Sequence, residues 1–192
     1  MKKILSFAVV LSALASQAAS FAWGTGTIAV SFGGTTIADG SATMYLVLLD
    51  SADTTKMYTI DYTAPGTITT VAAVQGSATS TAKRTAGRVS DTYKSDSIAG
   101  NQIYGAFLKW TDSDNKVWYN FSADTYTVST AVDDDPTTTL QTAEFGFNLS
   151  TQTTITKSGE TPSGWTTIAV PEPSTAALAL AGLALLLKRR KA

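Results

Sequence analysis

Apolar and polar residues alternate one for one along most of the middle of this chain, and a period of two fits strands rather than helices. Ile28, Val30 and Phe32 alternate with Thr27, Ala29 and Ser31, and Tyr58, Ile60 and Tyr62 alternate with Met57, Thr59 and Asp61. Residues 68–74 repeat the pattern, while 44–49 (MYLVLL) are apolar throughout. A strand can be apolar throughout only when both its faces are covered, so 44–49 reads as a central strand. Further strands are expected over 102–111, 117–121, 125–130, 144–149 and 165–170. No long window carries a helical period.

Turn formers separate these runs: Gly33-Gly34, Asp39-Gly40, Pro65-Gly66 and Asp112-Ser113-Asp114-Asn115. The clearest hairpin joins two aromatic-rich runs, QIYGAFLKWT and KVWYNF, through the DSDN loop. Roughly nine short strands at regular spacing predict an all-β fold, a single β-sandwich or jelly-roll domain. Residues 76–100 depart from the pattern, with Lys83, Arg84, Arg88 and Lys94 in a small polar background. They read as a long surface loop with room for a short helix, either a solvated connection or a contact for an anionic glycan.

Both ends differ from the middle. Lys2 and Lys3 precede an apolar run over 4–15 (ILSFAVVLSALA) and then small residues to Ala22, the parts of a secretory signal peptide. Small residues permit cleavage after Ala18, with Ser16 at −3, or after Ala22, with Ser20 at −3; the second sets a 1–22 leader. At the other end Val170-Pro171-Glu172-Pro173 leads into an apolar run over 176–187 (AALALAGLALLL) and a basic cluster, Lys188, Arg189, Arg190 and Lys191. Two prolines around a glutamate end any strand or helix and leave an extended, accessible peptide. As a helix the apolar run spans about 18 Å, short of a ~30 Å hydrocarbon core. Cations stay on the cytoplasmic side, so both ends place residues 23–169 outside the inner membrane.

The order of these three elements resembles the PEP-CTERM sorting signal of Gram-negative bacterial proteins. The resemblance covers residues 170–192 and lies in Val170, Pro171, Glu172 and Pro173 with the closing Arg189 and Arg190. It implies a short C-terminal transmembrane helix and processing by an exosortase, a membrane-embedded cysteine transpeptidase. It also implies passage from the periplasmic face of the inner membrane to the cell surface or extracellular matrix. Secretion machinery and signal peptidase are the other expected partners, with exopolysaccharide as a further candidate.

Charge and missing residue types exclude several functions. Six of the 14 basic residues lie at the two ends, so the middle keeps eight; against fourteen of the 15 acids its net charge is −6. An acidic body repels phosphate backbones, so nucleic acid is not an expected partner. The chain has no histidine and no cysteine, which removes Ser-His-Asp and Cys-His catalysis, His- or Cys-ligated metals and disulfides. Carboxylate chemistry remains open, but Glu144, Glu160 and Asp61 sit in no recognisable motif, and most aspartates occupy turns. Asp112–Asn115 and Asp133-Asp134-Asp135 are dense in oxygen ligands without the spacing of an EF-hand loop. No metal or cofactor is expected.

Trp110 and Trp118 flank the hairpin and could form a platform for sugar rings, although sandwich aromatics more often pack in the core. The sequence thus reads as a non-enzymatic, exported surface or matrix protein, structural or adhesive. A carbohydrate-binding module is the alternative, and a carboxylate glycoside hydrolase the more remote one.

Overall fold

The computed structural model describes residues 19–61, 67–79, 87–95, 98–129 and 142–169. The strands in chain order are β1 (Ala19–Gly24), β2 (Ser31–Phe32), β3 (Thr35–Thr36), β4 (Ala42–Leu49), β5 (Thr59–Ile60), β6 (Ile68–Thr69) and β7 (Ala73–Thr79). They continue with β8 (Ser90–Ser95), β9 (Ile103–Thr111), β10 (Val117–Phe121), β11 (Tyr126–Thr127), β12 (Thr142–Glu144), β13 (Gln152–Ile155) and β14 (Trp165–Ile168). One 3₁₀ turn, Thr54–Met57, is capped by Asp53, and no α-helix occurs among the described residues.

The larger sheet runs β13-β14-β10-β9-β4-β7, with β11 against the start of β9. A smaller sheet runs β12-β1-β8, in which the central β1 lies parallel to β12 and antiparallel to β8. Ribbons β2–β3 and β5–β6 complete an open, unclosed all-β fold.

Alternation in β4 explains why MYLVLL is apolar throughout. Met44 and Leu46 enter one core, where Phe21 and Trp23 of β1 meet Tyr104, Leu108, Trp118 and Trp165 of the larger sheet. Val47 and Leu49 enter a second core on the opposite face, beneath Met57 of the 3₁₀ turn and Ile68 of the β5–β6 ribbon. Both faces of the larger sheet are thus covered, as its composition requires.

The β9–β10 hairpin falls where the sequence places it, with Thr111 opposite Val117 and Trp110 opposite Trp118. Two expectations are corrected. Residues 76–100 are not one loop: they hold the second half of β7 and all of β8, whose SDTYKS residues are largely exposed. Such a strand is fixed by its backbone ladder to β1, so it shows no apolar alternation. Residues 145–149 do not continue β12: the Phe145 amide closes the parallel ladder on the Gly24 carbonyl at 3.0 Å, and β1 ends at that residue. The ladder of β1 reaches back to Ala19, inside the 1–22 leader segment.

Candidate functional site

The hairpin loop is built around one carboxylate. Asp112 Oδ1 accepts from the amides of Asp114 and Lys116 at 2.9 Å each, and its Oδ2 accepts from the Trp118 indole N–H at 2.9 Å. The indole bond, aided by the two amides, holds the Asp112 carboxyl below its ordinary value. Asn115 takes φ 62°, a left-handed conformation asparagine tolerates better than most residues. Both carboxylate oxygens are engaged, so the DSDN cluster works as a turn in this structure.

Other acids also accept from backbone amides, within turns or between segments. Asp53 caps the 3₁₀ turn through the Thr55 amide and hydroxyl. Asp39 accepts from the Gly87 amide at 2.9 Å, and Glu160 from those of Thr156 and Lys157 at 2.8 and 3.4 Å. Among the described residues no group of three or more acids could hold a metal ion. Asp133, Asp134 and Asp135 lie outside them.

Beside the hairpin a groove of about 490 Å³ opens between the β2–β3 ribbon and the end of β9. Phe32 and Trp110 supply its aromatic wall, and Thr35, Thr36, Ser41 and Ser113 its hydroxyls. The Phe32 ring centroid lies 4.7 Å from that of Trp110, with planes inclined at 49°. Trp165 backs Trp110 at 6.0 Å and donates its indole N–H to the Ser31 carbonyl at 2.7 Å, tying β14 to β2.

The two tryptophans singled out in the sequence are therefore cross-strand partners with different surroundings. Trp110 is half-buried and lines the groove, whereas Trp118 is buried at 6% exposure under the Lys116 ammonium, 4.5 Å from its ring centre. They form no flat two-ring platform. Phe32 is the groove residue that enters the sequence reading only as part of the Ile28–Val30 strand alternation; its position just before Gly33-Gly34, at a turn tip, was the available signal. Of the basic residues in 76–100, Arg88 is half-buried and Lys94 exposed on β8, while Lys83 and Arg84 lie outside the described residues. Ala18, the Val170–Pro173 element and the Lys188–Lys191 cluster lie outside them too.

The described residues end on a paired backbone. The Ala169 amide donates to the Ile155 carbonyl at 2.9 Å, so ladder bonding persists to the residue before Val170. Among the described residues no helix is long and apolar enough to cross a membrane, and the 176–187 run lies outside them. An all-β body whose last strand runs directly into a proline-flanked glutamate, an apolar stretch and a basic end has the layout of an exported protein with a C-terminal sorting signal. Residues 169–191 match the family model of the PEP-CTERM protein-sorting motif. This motif implies an exported protein sorted by exosortase. No curated protein matches the chain, and no solved structure matches it.

Proposed function

We propose that the chain is a non-enzymatic building block of the cell surface or extracellular matrix: a β-sandwich carried out by a cleaved leader, tethered by its tail and released by exosortase processing. The use of several acids as acceptors for backbone amides supports this reading. Asp39, Asp53, Asp112 and Glu160 each bind backbone amides, the role of a carboxylate in a scaffold. A glycosidase needs two carboxyls across one cleft about 5–9.5 Å apart; among the described residues Asp112 is the one acid lining the groove, and its oxygens are taken.

The test is fate in the native host. The full chain is expected at the surface or in the matrix, shortened at its C-terminus. The Glu172→Ala chain is expected to remain membrane-bound with its C-terminal tail intact. Equal release of both chains would refute the processing step.

The groove favours a second reading, carbohydrate binding, because an aromatic ring beside hydroxyls suits the apolar face and rim of a sugar. Polysaccharide binding by the full chain that Trp110→Ala abolishes would support adhesion over a purely structural role. Silence across a glycan array would remove it.

A further inference from the structure

The sequence permits leader cleavage at two bonds with the same local chemistry, serine at −3 and alanine at −1: Ser16 with Ala18, and Ser20 with Ala22. The fold distinguishes them. We propose that signal peptidase cuts between Ala18 and Ala19, so that β1 is the first segment of the mature chain. This rests on the export reading above.

A cut after Ala22 would remove Phe21, which is 3% exposed and packs between both sheets. Its ring centroid lies 5.7 Å from Tyr93 of β8, 5.1 Å from Tyr104 of β9 and 5.2 Å from Tyr126 of β11. The same cut would delete Ala19–Ala22 from the ladder with β8, leaving only Trp23↔Asp91 and Gly24↔Ser90.

The new terminus matters as much as the lost residues. Hydrolysis adds water across the amide, leaving a carboxylate on the leader and an α-ammonium on the mature chain. After Ala22 that ammonium would sit on Trp23, 1% exposed and flanked by Asp91 of β8 and Ala143 of β12. A charge there would lie between two ladders, in the middle of the strand's pairing with β8 and β12. After Ala18 it sits on Ala19, at the outer end of the ladder opposite Ser95.

The full chain is expressed with its own leader in a bacterium with a general secretory pathway, and the recovered protein is read by N-terminal sequencing and intact mass. The expected first residues are Ala19, Ser20, Phe21 and Ala22. A mature chain starting at Trp23 would overturn the assignment while leaving export intact; a chain retaining Met1 would overturn both. In pulse-chase, Ala18→Val puts a bulky residue at −1 of the assigned bond and is expected to slow leader removal at least tenfold. Ala22→Val suits a strand and is expected to leave the rate unchanged. The reverse pattern refutes the proposal.

Discussion

Replacing Asp112 by alanine removes three hydrogen bonds whose different settings fix the expected magnitude. The Asp114 and Lys116 amides lie in an exposed turn, where water substitutes readily, so each contributes about 0.5 kcal/mol. The Trp118 indole N–H belongs to a largely buried side chain and is itself partly buried, and leaving it unpaired costs about 1–2 kcal/mol. Asp112→Ala is therefore expected to lower stability by about 2–3 kcal/mol, a Tm drop on the order of 5–10 °C for a chain of this size. Asp112→Asn can keep the two turn bonds but then turns its NH₂ toward the indole N–H, donor against donor, and loses about half as much.

The same carboxyl predicts a pH dependence. Its folded pKa lies below the ordinary value because of the Trp118 bond first and the amides second. A lowered folded pKa adds stability that is fully present above the unfolded value and disappears as pH falls through the folded one. The gap between wild type and Asp112→Asn should thus be flat from about pH 8 to 5 and close below about pH 4, where a protonated Asp112 resembles the amide. Urea unfolding at a series of pH values, followed by tryptophan fluorescence, measures it. Equal stability of wild type and Asp112→Ala at neutral pH, or a gap that persists undiminished to pH 3, would refute the reasoning.

Four further substitutions, Gly105→Ala, Met57→Ala, Phe21→Ala and Trp165→Phe, test the packing. A Cβ at Gly105 would lie 2.6 Å from Met57 Sδ and 3.0 Å from Leu49 Cδ1; crowding of about 1–3 kcal/mol outweighs the 0.5–1 kcal/mol gained from a stiffer backbone, for a net loss of about 1 kcal/mol. Adding Met57→Ala should make the pair less destabilised than the sum by about 0.5 kcal/mol or more, and strict additivity would count against the contact. Phe21→Ala should cost about 3–5 kcal/mol by denaturant unfolding, whereas a near-neutral result would remove β1 from the core. Trp165→Phe leaves the Ser31 carbonyl without its indole donor and should cost about 1–2 kcal/mol; an unchanged Tm would show that bond to be replaceable.

The elements legible in the sequence are those whose side chains, rather than backbone, fix their place. β4, β9 and β10 sit in the body of the larger sheet, and the pleat forces their alternation or double-sided apolarity. β8 and β13 were missed because SDTYKS and QTTI are mostly polar and exposed; their strand character comes from the ladders that β1 and β14 offer them. β1 was hidden for the opposite reason: Phe21 and Ala22 adjoin an apolar leader, and one stretch of hydropathy served two roles. Phe145, Phe147 and Leu149 alternate as a strand would, but Asn120 Nδ2 takes the Asn148 carbonyl at 2.8 Å, a side chain standing in for a neighbouring strand. For the groove, the Trp110–Trp118 pairing could be read from the hairpin. Which ring stays half-open could not, since that depends on the β2–β3 ribbon, far away in sequence.

The junction between β14 and the tail has a mechanical consequence. Glu172 is four residues past Ile168, a length of chain of at most about 14 Å at ~3.3–3.6 Å per residue. Any pull on a tethered tail enters the body through β14, which has β10 on one side and β13 on the other. An edge strand would peel from a single neighbour; drawing out β14 has to tear two seams and drag Trp165 from the core. A leash on this tail would be fastened one strand in from the hem.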